Sequence, residues 1–327
     1  MSLGMLTLFG PTTPSGSPGT WTPSSGAPTL TGQNGSLCAV LDWAMAQKSW
    51  TTLFSTTNSR VYKQAAGNGN CLLVTHDSAV VTAANFCLWR GAETATAATS
   101  AGLGNPFPTV ALAADTAQRL QLSQTASATA VAYQIQISDR YIRLLTQSST
   151  TASGWQGTHF GDPPATYSGD NYATVCTGIG GVANQIDIFT SISNVNLMDG
   201  WFDRTIDGTL LSSYAQAGGR FGQSVWGLFP NNPVAMGGYL NRILRDKISM
   251  QCFGSKTTTS GVLAIPNRVW IPNLWSPLHN GIGTSLLTGQ TFTDTAYNAS
   301  SIFRVYIGAN SSWLIVEESD TWSIPSG

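Results

Sequence analysis

Residues 62–78 read YKQAAGNGNCLLVTHDS, a glycine-rich loop followed by a cysteine and a His-Asp pair. Each could belong to a phosphate cradle or a catalytic site. A phosphate loop needs a strand before it and a helix after it, so that helix N–H groups face the anion. Here the strand-like RVYKQA precedes AGNG, but CLLVTHD follows with no helical face, and no Lys-Ser/Thr pair closes the motif. The stretch reads instead as a hairpin tip, in which Gly67, Asn68, Gly69 and Asn70 tolerate positive φ.

His76 and Asp77 are chain neighbours, and on a strand such neighbours point to opposite faces, a poor start for an oriented base. His76, His159 and His279 all lie in turn-like contexts, with none of the i, i+2 or i, i+4 spacings that favour a metal. Five aspartates, Asp162, Asp170, Asp199, Asp203 and Asp207, gather mid-chain. Paired carboxylates cut glycosidic bonds, but carboxylates beside glycine are chiefly turn formers. The order of MDGWFDRTIDG is not that of a calcium loop, and no G-x-S-x-G elbow occurs. No catalytic, cofactor-binding or metal-ligating residue is assigned, and no enzymatic activity or cofactor is expected.

The five cysteines, Cys38, Cys71, Cys87, Cys176 and Cys252, are odd in number and irregularly spaced, so they read as small buried residues in a reduced chain. The eleven tryptophans read mainly as packing groups. Trp155, Trp270 and Trp275 are the candidate exposed aromatics, suited to stacking on sugars.

These residues must be positioned by a chain of 327 residues of which only 9% are charged, against roughly 25% in an average soluble domain. The net charge of -1 offers no field for nucleic acid. No run is long and apolar enough for a membrane helix, and the first residues are not expected to form a signal peptide. The exterior must be covered by Thr, Ser, Asn, Gln and Gly, as in proteins that bury much of their surface in an assembly and in secreted β proteins.

Residues 1–35 read as an extended N-terminal arm rich in Pro, Gly, Ser and Thr. Its anchors Leu8, Phe9, Trp21 and Leu30 are the candidate assembly contacts, and the remainder is expected to fold without it. Residues 36–327 read as one composite β domain, with a sub-boundary near 195–210 where Asp199-Gly200 and Asp207-Gly208 mark turns. One helix is expected within 36–48, with Ser36 at its N-cap and Leu37, Val40, Leu41, Ala44 and Met45 on one face. Short strands follow, with hairpins over 131–146 and 301–318 and loose loops over 91–128 and 147–170. The fold class is mainly β: antiparallel sandwich- or barrel-like sheets, one short N-terminal helix and long Gly/Pro/Ser-rich loops.

The blocks SLCAVLDWAMAQKSW, SRVYKQAAGNGNCLLV, GNPFPT, SDRYIRLLTQ, HFGDPPATYSGDNYATVC, IPNLWSPLHNG and SSWLIVEESDTW occur in that order between residues 36 and 322. Together they resemble a family of virion structural proteins of tailed bacteriophages. The departures, Gln-Lys-Ser-Trp after the helix and Pro163-Pro164 after Asp162, fall in loops. The resemblance implies a non-enzymatic particle component, assembled in the host cytoplasm and located in the virion. Its first form is a capsid-decorating or head-associated protein. A tail or baseplate component that binds a carbohydrate receptor comes second, and a polysaccharide-cleaving tail spike a distant third. The implied partners are other copies, as dimer or trimer, and the major capsid or tail proteins, without direct contact to nucleic acid and without membrane insertion.

Overall fold

The computed structural model describes residues 3–16, 20–78, 86–107, 119–122, 127–147, 155–178, 199–204, 206, 208–210, 245–252, 265–277, 289–294, 298–307 and 313–318. The chain is mainly β, and the described residues form four antiparallel sheets and one short α-helix.

The expected hairpin over 131–146 forms the centre: β10 (Tyr133–Ile137) pairs with β11 (Tyr141–Gln147) across a turn at Asp139-Arg140. Every residue of both strands is buried. The alternation YQIQI therefore does not separate core from solvent. Ile135, Ile137, Ile142 and Leu144 enter one apolar core, whereas Gln134, Gln136 and Arg143 enter a buried polar seam on the other face. Within that seam Arg143 and Gln136 are matched to each other and to the third sheet. Arg143 Nη1 donates to Gln136 Oε1 at 2.7 Å, and Gln136 Nε2 donates to the Glu317 carbonyl at 2.7 Å.

Around this hairpin the central sheet runs β1-β10-β11-β12-β13-β14, adding β1 (Leu6–Phe9), β12 (Trp155–Gly161), β13 (Val175–Gly178) and β14 (Asp199–Phe202). On one side lies a second sheet of β3 (Thr51–Ser55), β4 (Ser59–Lys63), β5 (Cys71–Thr75), β6 (Phe86–Ala95) and β7 (Leu103–Phe107), with β8 (Arg119–Gln121) also pairing β6. Its Tyr62, Leu72, Val74 and Trp89, with α1 (Ser36–Ala46), close the first core against the central sheet. On the other side lies a third sheet of β15 (Arg245–Cys252), β16 (Ile265–Pro277), β19 (Trp313–Glu317), β18 (Asn298–Ile307) and β17 (Thr291–Asp294). Its Ile271, Leu274, Tyr306 and Val316 meet Leu145, Trp155, Val175 and Phe202 in a second core. The central sheet is thus the middle of three layers. The remaining sheet is the short pair of β2 (Leu30–Thr31) and β9 (Ala130–Val131).

Several expectations are corrected. The N-terminal segment is extended, but it is built into its own chain. β1 pairs with β10, Leu8 and Leu30 lie in the first core, and Trp21 lies in the second with Phe9 packed on it. Trp21 Nε1 donates to the Gly10 carbonyl at 2.9 Å, and Ser24 N–H donates to the Phe9 carbonyl at 3.0 Å, which covers the outer edge of β1. The four proposed assembly contacts are therefore used in cis, and the remainder lacks part of both cores without them. The stretch 147–170, read as a surface loop, contains β12, a central strand. Asp199 and Gly200 lie in β14 and continue the central sheet, rather than forming a turn. The hairpin expected over 301–318 forms from β18 and β19, and the residues that join them lie outside the described ones.

Ser36 is the first helical residue of α1 and does not cap it. Gly35 holds the N-cap position at φ 79°, and the Leu37 N–H donates to Nδ1 of His76 at 2.9 Å. A histidine from the end of β5 thus supplies the acceptor that a local side chain was expected to give.

Candidate functional site

The loop 64–70 joins β4 to β5 with Gly67 at φ 77° and Gly69 at φ 71°, the left-handed geometry expected of GNGN. The tip is not free. The N–H groups of Ala65 and Ala66 donate to the Asp139 carbonyl, and Gln64 Nε2 donates to the Arg140 carbonyl at 2.6 Å. The loop therefore lies across the turn of the central hairpin.

Its two asparagines continue inward. Asn68 N–H donates to Asp162 Oδ2 at 2.6 Å, and its Nδ2 donates to Thr174 Oγ1 at 2.8 Å. Asn70 Nδ2 donates to Thr174 Oγ1 at 2.7 Å and to Asp203 Oδ2 at 3.0 Å. The Thr174 hydroxyl donates in turn to Asp162 Oδ1 at 2.5 Å. A hydroxyl has one proton and two lone pairs, so Thr174 is saturated. Glycine is required at position 67, since a Cβ there would stand 2.1 Å from Asp162 Oδ2.

Two of the five mid-chain aspartates thus meet on one threonine. Burial raises the pKa of Asp162, and burial together with the Asp162 charge pushes Asp203 up to about 7. A glycosidase pair needs one acid and one base whose oxygens reach a substrate. Here both carboxylates accept from the chain's own donors: Asp162 from Asn68 and Thr174, Asp203 from Asn70 and the Arg204 N–H at 2.8 Å. Their arrangement makes a polar fastening between the second sheet and the central sheet.

Asp170 belongs to an adjoining clamp. Arg268 Nε and Nη2 grip its two oxygens at 2.7 and 2.9 Å, with both side chains fully buried. The same guanidinium donates to the carbonyls of Tyr172 at 2.9 Å and Arg204 at 2.6 Å, and lies 4.4 Å from the Phe202 ring centroid. Arg204 pairs with Glu93 through two contacts. The clamp holds the loop between β12 and β13, and on that loop Tyr167 and Tyr172 stand 41% and 38% exposed.

The other candidates fall elsewhere. Trp155 is fully buried, 4.6 Å from Tyr306, because it lies on the inner face of β12. Trp275 is buried too, its Nε1 donating to Glu317 Oε2 at 3.0 Å, and Trp270 is half-buried. The expectation that these three are exposed is therefore wrong for Trp155 and Trp275. His159 is a buried strand residue beside the Tyr141 hydroxyl, not a loop residue, and burial and Arg143 hold its pKa well below the usual range. Asp207 and His279 lie outside the described residues. Among the described residues no three His, Cys, Asp or Glu side chains converge as metal ligands, and Cys38, Cys71, Cys87 and Cys176 form no disulfide with one another.

No protein-family model matches the sequence, and no curated protein matches it.

The sequence reading singled out Asp162, Asp170 and Asp203 but not Thr174, Arg268, Tyr167 or Tyr172. A lone threonine carries no spacing signal. The two tyrosines had one: in TYSGDNY they flank turn residues outside any alternating run, where an aromatic side chain has no core face to join.

Proposed function

We propose that this chain is a non-enzymatic structural component of a tailed-bacteriophage virion, in the first instance a capsid-decorating or head-associated protein. In this reading it assembles with copies of itself and with the major capsid or tail proteins. The ordered motif blocks between residues 36 and 322 suggest the family. The use of charge is the observation that carries the reading. The chain has only 15 basic and 16 acidic side chains. Arg90, Arg143, Arg268, Arg304, Asp162, Asp170, Asp203 and Glu317 are all buried. Turning these eight charges inward lowers further the charge of an exterior already poor in ions, and a surface with few ions packs against protein neighbours at a small desolvation cost. The two mid-chain carboxylates that a polysaccharide-cleaving spike would need are occupied by internal donors, which counts against that role.

The test is a density map of the particle whose genome encodes the chain, with mass spectrometry of the same purified particles. The expected result is the chain at stoichiometric copy number, with its three-layered density on the head. Density on the tail or baseplate instead favours the receptor-binding form, and absence from the particle overturns the proposal.

A further inference from the structure

Among the described residues, five large apolar or aromatic side chains are exposed: Leu53, Tyr167, Tyr172, Leu210 and Ile302. Three of them are brought to one place. Asp170 N–H donates to the Tyr167 carbonyl at 3.3 Å, and Tyr172 N–H donates to Asp170 Oδ1 at 3.1 Å. The Arg204 guanidinium lies 6.0 Å from the Tyr172 ring centroid, and Arg204 forms a β-bridge with Leu210. Gly208, at φ 84°, packs so closely on the Tyr172 ring that a Cβ there would lie 2.8 Å from it.

From this we infer that Tyr167, Tyr172 and Leu210 form the face by which two copies of this chain associate, an inference that rests on the reading of the chain as an assembling component. The face is rigid, because the buried Arg268–Asp170 pair fixes the loop that carries both tyrosines. Association therefore orders little. Between the rings stand exposed Ser168, Gly169 and Asn171. Tyr with Ser, Gly and Asn is the composition of protein-binding loops, where tyrosine gives broad contact at small entropic cost.

Charge permits a second copy as the occupant. Asp170 is neutralised by Arg268 and Arg204 by Glu93, so the face meets its own image across a twofold axis without like charges opposing. The whole chain carries a formal charge of only -1, so copies repel one another weakly. A saccharide fits less well, because both Asp170 oxygens are held by Arg268 and are not available to sugar hydroxyls.

The experiment is sedimentation velocity of the purified full chain over a range of concentrations, for wild type, the double variant Tyr167→Ser/Tyr172→Ser, and the control Leu53→Thr. Wild type and the control are expected to self-associate alike, and the double variant about tenfold or more weakly. Hydroxyl-radical footprinting of wild type gives a second readout that needs no variant: Tyr167 and Tyr172 become protected as concentration rises. The inference is overturned by a monomeric wild type, by a double variant that associates as wild type does, by loss of association in the Leu53 control, or by tyrosines equally reactive at all concentrations. It is equally overturned if the tyrosine substitutions abolish glycan-array binding while leaving sedimentation unchanged. Because the protein alone is measured, these outcomes are independent of whether the chain is found in a particle.

Discussion

The Thr174 hydroxyl lies 2.5 Å from Asp162 Oδ1 while accepting hydrogen bonds from the side-chain amides of Asn68 and Asn70. One side chain thus ties the hairpin tip of the second sheet to the central sheet. Thr174→Val keeps the shape and removes all three bonds, leaving buried polar groups without partners. The expected loss is about 2–4 kcal/mol in urea unfolding, with Thr174→Ser close to wild type. Equal midpoints for Val and wild type would show that the fastening contributes nothing.

Gly67 and Gly69 share the left-handed conformation but not their surroundings. A Cβ at 67 would strike Asp162 Oδ2, whereas the nearest atom at 69 is Lys63 Cε at 3.4 Å. Gly69→Ala should cost only the conformational penalty, about 1 kcal/mol. Gly67→Ala should cost about 2 kcal/mol more, because the Asp162 carboxylate must also move. Thermal melts of the two variants check the order, and a Gly69 variant as unstable as the Gly67 variant contradicts it.

Two buried groups oppose each other in their pH dependence. Burial lowers the His76 pKa from 6.5 to about 4. Its contribution is therefore complete above the unfolded value and lost as pH falls to 4, by roughly 3 kcal/mol. Asp203 is raised from 3.8 to about 7, so its contribution is complete below 3.8 and lost as pH rises through 7, by roughly 4 kcal/mol. Measured from pH 4 to pH 7 and taken relative to wild type, denaturation midpoints should fall with rising pH in His76→Gln and rise in Asp203→Asn. Parallel profiles for all three proteins argue against either assignment.

Arg268→Met leaves the buried Asp170 carboxylate without its guanidinium. The expected loss is about 3–5 kcal/mol, and the loop from Thr166 to Tyr172 loses its clamp. Limited chymotrypsin digestion should then cut after Tyr167 or Tyr172 in the variant under conditions where wild type stays intact. An unchanged digestion pattern would show that the loop is held by other contacts.

Deleting residues 2–33 removes β1, Leu8, Trp21 and Leu30 from two cores. The truncated chain should be insoluble or expanded by size-exclusion chromatography. Recovery of a truncated protein with the wild-type melting temperature would show that the segment is dispensable.

Legibility in the sequence followed locality. The helix 36–46 and the central hairpin were readable because their apolar spacing and turn residues lie within a few positions of one another. The strand 155–161 was not, because WQGTHFG has two glycines and no alternation, and its identity comes from pairing with Tyr141–Gln147. The N-terminal segment was misread for a related reason. Its Pro/Gly/Ser/Thr composition describes extended chain correctly, but cannot say whether that chain docks at home or on a neighbour. The acids were readable as a group, whereas their saturation by Thr174, Asn68 and Asn70 depends on contacts that span about a hundred residues.

The pairing of Leu6 with Ile137 bears on how the protein is made. A ribosome working at about 5–20 residues per second releases β10 roughly 7–25 s after β1. The Thr7 hydroxyl waits longer still, since it donates to the carbonyl of Glu318, 311 positions away. During synthesis the first strand is therefore an unpaired apolar edge that no early folding unit can cover. Chaperones or a low growth temperature are expected to help the nascent chain until β10 emerges to pair β1. Yields of soluble protein should respond more to those conditions than to changes on the finished surface.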